Sequence, residues 1–257
     1  MSALTYPLAV LPAVLIAFFI YQLDRNDRET HRSLLICFVL GMLMTIPVIQ
    51  IESLETYLPH QGTQLTLGSL FFSTFVLVAL VEEVFKLLPL LLFAFPRKYF
   101  SEPFDGIVFA VMIAMGFALI ENIFYAYQLG WQTTLVRAFT AVPAHGALAV
   151  IMGHYVGRAK FDPERRWALI GWGLIQVIVI HGLYDIFIIQ DYNENLMAIT
   201  ALVLTLSLYY AIHLIRRHGE TSIPVAPETE GEMPIVEEEK NEIAEAIFLE
   251  MSRDEEE

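Results

Sequence analysis

The sequence predicts an all-α, polytopic membrane helix bundle of about seven transmembrane helices, with the N-terminus outside and the C-terminus cytoplasmic. Three observations carry this reading. Of the 257 residues, 56% are hydrophobic and the mean hydropathy is +0.56, above the usual apolar share of a soluble domain. Seven stretches reach the roughly 20 mainly apolar residues that a bilayer crossing needs. Lys and Arg fall in alternate loops only, the pattern that fixes orientation in membranes. A soluble all-helical protein is the competing reading, and seven long apolar runs with alternating loop charge count against it.

The expected spans follow in order. Leu4–Leu23 has no Lys or Arg before it and an apolar run too long for a typical signal-peptide core, so it reads as a retained first span. Ser33–Ile51 is the second. Leu67–Phe95 is the third; it is long and carries Pro89, which predicts a kink or tilt. Phe104–Gln128, Thr134–Val156, Trp167–Ile189 and Leu196–Ile215 complete the set. Arg25, Arg28 and Arg32 follow span one, Arg97 and Lys98 follow span three, Arg158, Lys160, Arg165 and Arg166 follow span five, and Arg216 and Arg217 follow span seven. The intervening loops, Glu52–Thr66, Leu129–Thr133 and Gln190–Asn195, contain neither residue type. Trp131, Trp167 and Trp172 read as interfacial anchors.

The net charge of −14 is unevenly spread. Residues 216–257 hold 14 acids and 4 bases, so the acidity belongs to a tail. "GETSIPVAPETEGEMP" reads as disordered. In the last stretch Val236, Ile243, Ile247 and Met251 fall near one helical face, which predicts a short helix in an otherwise solvated cytoplasmic tail, or a handle for a partner or protease. No basic patch suits nucleic acid. The single cysteine, Cys37, excludes an intrachain disulfide framework.

The spans also carry ionisable groups. "LVALVEEVFKLLPLLLF" places Glu82, Glu83 and Lys86 inside an apolar run; span four holds Glu121 and Asn122, span five His145, and span six His181 and Asp185. Glu82, Glu83, Lys86, Glu121 and Asp185 would together cost roughly 12–17 kcal/mol if charged and unpaired at mid-bilayer. They must therefore meet in the bundle interior, pair, bind an ion or line water. Glu82 and Lys86 share a helix face at a spacing of four, as do His181 and Asp185. Counting about 1.5 Å per residue from the span ends places the group in the middle and outer half of the bilayer. His154, near the cytoplasmic end, falls outside it, and Arg137, near the outer interface, belongs either to the site or to the surface. Two histidines and carboxylates suit Zn²⁺ with one position left for water, and a carboxylate beside that water is a general base for peptide hydrolysis. Asp185 could orient an imidazole, and Lys86 could pair with a glutamate or stabilise an oxyanion. There is no HExxH, no Gly-x-Ser-x-Gly and no histidine suitably placed for Cys37.

The ordered motifs "EEVFK", "GFALIEN", "RAFTAVPAH" and "HGLYD", on four successive spans between Leu67 and Phe187, resemble the PrsW family of intramembrane proteases, a relative of the CAAX prenyl protease and Abi superfamily. The resemblance implies proteolysis of a membrane-anchored protein substrate in a bacterial inner membrane, with a first extracytoplasmic cut in an anti-sigma factor as the family role. It implies residues 1–215 as the protease domain and 216–257 as a tail outside it. Carried over by motif, Glu82 and Glu83 are the catalytic pair, with Lys86, Asn122 and Asp185 in supporting catalytic positions. Glu121, His145 and His181 fall at the positions expected to hold Zn²⁺, unless a glutamate activates water without metal. The related superfamily commonly places a histidine four residues after a phenylalanine; here Phe117 is followed at that spacing by Glu121. An ion- or proton-coupled transporter would use the same buried groups, although no inverted repeat is visible. A catalytically silent scaffold is the third reading, and it would tolerate loss of Glu82.

Overall fold

The computed structural model describes residues 5–23, 31–61, 64–190 and 192–221. These are helical apart from short connections and one small antiparallel hairpin, in which His60 pairs with Leu65 and Gln61 with Gln64. The helices are α1 (Thr5–Leu23), α2 (His31–Glu52), α3 (Leu67–Phe72), α4 (Val81–Pro89), α5 (Pro103–Leu129), α6 (Trp131–Phe139), α7 (Ala141–Phe161), α8 (Arg166–Ile189) and α9 (Met197–Thr221). A 3₁₀ turn, Ser53–Tyr57, extends α2. π-helical stretches at Ser73–Leu80 and Leu90–Ala94 join α3 to α4 and continue it, so the chain is helical from Leu67 to Ala94.

Among the described residues, six helical segments are long and apolar enough to cross a membrane: Thr5–Leu23, His31–Tyr57, Pro103–Leu129, Trp131–Phe161, Arg166–Ile189 and Met197–His218. The expected third span is the one that does not join them. Its helix carries Glu82, Glu83 and Lys86, and all three are buried. The expected fifth span is not one helix. It breaks at Thr140 (φ −123°, ψ −72°) into α6 and α7, which leaves Pro143 in the first turn of α7, where its missing N–H removes no helical bond. The helix expected to end at Ile215 runs on to Thr221.

α5 is the hub, buried continuously from Phe104 to Leu119. It begins sharply: Pro103 sits at the first position, and the side chains of Glu102 and Asp105 reciprocally satisfy the first backbone donors. Small residues let its neighbours approach. A Cβ on Gly116 would lie 1.9 Å from the Phe38 carbonyl oxygen of α2, and one on Gly153 of α7 would lie 2.4 Å from the Gly106 carbonyl oxygen. Such small-residue seams are how helices pack where lipid supplies no hydrophobic drive. Thr45 on α2 adds a bond to the Phe117 carbonyl at 3.3 Å. Large apolar side chains such as Phe18, Leu35, Leu92, Trp172 and Leu206 stay exposed, as a lipid-facing belt requires.

The two ends of the bundle differ in charge. At one end Lys160 donates to the carbonyls of Phe95 and Arg97, and the Arg166 guanidinium lies 5.5 Å from the Phe95 ring centroid. His154, set apart in the sequence, bonds His218 at 2.8 Å and not the buried acids. The other end carries the Ser53–Tyr57 turn and the C-termini of α5 and α8. The described residues, up to Thr221, belong to one compact unit. Of the stretch expected to be disordered, Gly219–Thr221 instead close α9; the rest of it, and the expected helix with Val236, Ile243, Ile247 and Met251, lie outside the described residues.

Candidate metal centre and cavity

α4 delivers the first components. Glu82 and Glu83 stand in its first turn and Lys86 in the next, directly after the eight-residue π-helical stretch; such irregular turns recur at functional sites. Adjacent positions on a helix differ by about 100°, and the two glutamates use this. Glu82 lines a cavity of 410 Å³. Glu83 is turned from it, accepting from Lys86 Nζ at 2.8 Å and lying 2.9 Å from His181 Nδ1.

α7 and α8 supply the imidazoles. His145 Nδ1 is 3.9 Å and His181 Nε2 4.0 Å from Glu82 Oε2. The two rings meet edge-on, centroids 5.6 Å apart. One ligand-type atom from each of Glu82, Glu83, His145 and His181 lies within 4.8 Å of the others, and all four residues are buried. Asp185, one turn after His181, places Oδ2 3.3 Å from His181 Nε2. That oxygen is buried and makes no hydrogen bond among the described residues.

Glu121 sits outside the four-residue group. Its carboxylate bridges Arg137 Nη2 at 2.6 Å and His145 Nε2 at 2.8 Å. An acceptor at Nε2 puts the proton there and leaves the Nδ1 lone pair facing the cluster. Asn122 commits both ends of its amide elsewhere: Nδ2 donates to the Ala9 carbonyl of α1 at 3.0 Å, and Oδ1 accepts from Arg137 Nε at 3.2 Å. The break at Thr140 aims Arg137 at this pair, with its guanidinium 3.8 Å from the Tyr125 ring centroid. Arg137 therefore belongs to the site through Glu121 and Asn122. Sequence reasoning missed Glu52. It ends α2, lines the cavity, and has a buried Oε1 with no hydrogen-bond partner among the described residues. The charged groups acting on it are the carboxyls of Glu82, Glu121 and Asp185. A lone acid at a helix end gives no signal in a sequence.

The cavity is lined by Glu82, His145, His181 and Leu148, with the Glu52 side chain hydrogen-bonded to Glu82, by Tyr125, Arg137 and Tyr184, and at the helix ends by Glu55, Gln128 and Ile189. It opens at the helix ends whose loops lack Lys and Arg. The residues fit a divalent cation on three counts. Two imidazoles and two carboxylates are a zinc donor set. Four buried carboxyls, Glu82, Glu83, Glu121 and Asp185, face two fixed cations, Lys86 and Arg137; if all ionise, two negative charges remain, and charge at this depth must be balanced. The orphaned Asp185 oxygen stands at the imidazole's edge.

The family model for "PrsW family intramembrane metalloprotease" matches residues 29–212. The chain belongs to the PrsW family. Among curated relatives named "Protease PrsW", one from Clostridioides difficile (strain 630) is 30% identical over 206 residues, covering 77% of this chain and 85% of the relative. One from Bacillus subtilis (strain 168) is 31% identical over 179 residues, covering 68% and 78%. No solved structure matches. The PrsW match makes the chain a membrane-embedded peptidase, and the transporter reading is not favoured. The match covers α2 through α9 as far as Ile212, so every residue of the cluster lies inside it.

Proposed function

We propose that this peptidase hydrolyses a peptide bond of a membrane-anchored protein, an anti-sigma factor being the substrate the family resemblance suggests, in the outer half of a bacterial inner membrane. The observation that carries the reading is the convergence of two imidazoles and two carboxylates at the inner end of a cavity that opens at the base-free end. Seven crossings, with residues 67–94 as the third, keep the loop charges alternating and put that mouth outside.

Glu82, His145 and His181 would hold a Zn²⁺ ion, which when bound supplies Lewis-acid polarisation of a water and of the substrate carbonyl. Glu83 fixes the His181 ring through Nδ1, and Glu121 fixes His145 through Nε2. Asp185 Oδ2 takes the proton of the attacking water as the new C–O bond forms, and returns it to the amide nitrogen as the C–N bond breaks. Arg137, lining the cavity, is the cation nearest the developing oxyanion on the substrate side. This departs from an adjacent catalytic pair: Glu82 faces the cavity, and Glu83 supports a ring from behind. It also moves Glu121 from ligand to positioning residue.

The test is elemental analysis of the purified protein alongside cleavage of a membrane-anchored substrate drawn from a proteomic comparison of cells with and without the protein. Glu82→Gln should lose both zinc and cleavage. Asp185→Asn should keep zinc and lose about 10²–10⁴-fold in rate, the usual contribution of a positioned base. Cleavage unchanged in both variants would remove the assignment from this site.

A further inference from the structure

Lys86 occupies the position where the donor set converges. Its ammonium lies 2.8 Å from Glu82 Oε2, 2.8 Å from Glu83 Oε1 and 3.0 Å from His145 Nδ1. A structural ion pair needs one carboxylate; this lysine takes two, and in addition the lone pair of an imidazole. Since His145 Nε2 faces Glu121, that lone pair is the atom with which the ring would ligate. A zinc ion sits about 2.0–2.1 Å from each ligand atom. The ammonium and the ion cannot share Glu82 Oε2 and His145 Nδ1.

The surroundings give Lys86 somewhere to go. A 10 Å³ void, sharing no lining residue with the large cavity, is walled by Glu83, Lys86, Leu90 and the small side chains Ala110, Ala114 and Ala149. That is about the room of one water-sized probe. The lysine's four-carbon stem is flexible, so its head can retreat toward this void while keeping Glu83, which lines it too.

We propose that Lys86 is a stand-in cation: it holds the donor set together in the metal-free protein and leaves Glu82 and His145 when the divalent ion enters. The proposal rests on the metal-centre reading above. It means that the empty centre is not a cluster of repelling carboxylates. The apoprotein folds, and the ion loads by exchanging one cation for another at the same atoms.

The experiment measures zinc affinity by chelator competition, and thermal stability with and without zinc, on the full chain in detergent. Wild type is compared with Lys86→Met and Lys86→Gln. Each variant should bind zinc at least about tenfold more tightly, because the competing occupied state is gone. Each should melt below wild type when metal-free and near wild type when loaded. A variant recoverable only from zinc-supplemented preparations is the same result in stronger form. Zinc affinity and metal-free stability both unchanged would overturn the proposal and leave the metal centre standing. Failure of both variants to fold even with zinc would overturn it as well, since zinc should replace the lysine. No zinc bound by any of the three proteins would overturn the metal centre and the stand-in together.

Discussion

At the scale of single residues, charges in this interior are held in pairs whose members do different work. Arg137 and Glu121 form a contact of 2.6 Å at the cavity wall. Removing one member of a buried pair leaves the other uncompensated, a loss of about 3–5 kcal/mol. Arg137→Met should therefore destabilise the protein strongly. Adding Glu121→Gln should restore much of the stability, since its amide oxygen can still accept from His145, without restoring cleavage, because the Arg137 cation is still missing. Denaturation of the single and double variants in detergent checks this, and equal instability of the two would contradict it. Asn122→Ala removes a tie to α1 and a tie to Arg137. It should cost about 1–3 kcal/mol for the orphaned groups while leaving zinc content unchanged, which separates Asn122 from the residues proposed to hold the ion. The sequence made these side chains visible, since ionisable groups in apolar runs stand out. It did not say which faces the cavity and which faces a neighbour. Glu82 and Glu83 look alike in "EEVFK" and are separated only by helix rotation. Glu52 was invisible, because an acid at a helix end is ordinary until three other carboxyls are seen around it.

At the scale of elements, the close seams between helices set the distances across the site. His145 on α7 reaches Glu121 on α5 because Gly106, Gly153 and Gly157 let those two backbones touch. Gly153→Val would drive a side chain into the Gly106 carbonyl. The expected loss is about 1–3 kcal/mol from overpacking, with an activity loss larger than stability alone explains, measured at a temperature where the variant remains folded. The same substitution at Gly171, whose surroundings are open, should be nearly silent. Hydropathy located nearly every helix but could not place breaks within a run. The interruption at Thr140 leaves the chain apolar on both sides, and its sequence trace is only Pro143 and a polar threonine. The π-helical turn before Glu82 has no compositional signature at all.

At the scale of the whole molecule, the bundle separates its charges along one axis, with basic loops at one end and the cavity mouth at the other. Cys37 is the single cysteine and is buried, so a Cys37→Ala background allows single cysteines to report sidedness. Tyr57, 84% exposed beside the mouth, and Trp167, 76% exposed at the start of α8, are the sites of choice. Tyr57→Cys should react with an impermeant maleimide on intact spheroplasts, and Trp167→Cys only after permeabilisation. The reverse pattern would place the cavity mouth in the cytoplasm and exclude an extracytoplasmic cut. Loop charges alone predict this orientation from the sequence. The number of crossings was less readable, because the third helical run is split by π-helical stretches into α-helices too short to cross alone.

The central claim is that His145 and His181 bind a divalent metal within this acidic cluster. Zinc K-edge X-ray absorption on the loaded, purified protein addresses it most directly. The account predicts near-stoichiometric zinc at about 2.0–2.1 Å from nitrogen and oxygen donors, with the outer-shell scattering of two imidazoles, and loss of that signal in His181→Ala. Full cleavage by protein stripped of metal, or zinc bound without imidazole scattering, would contradict it.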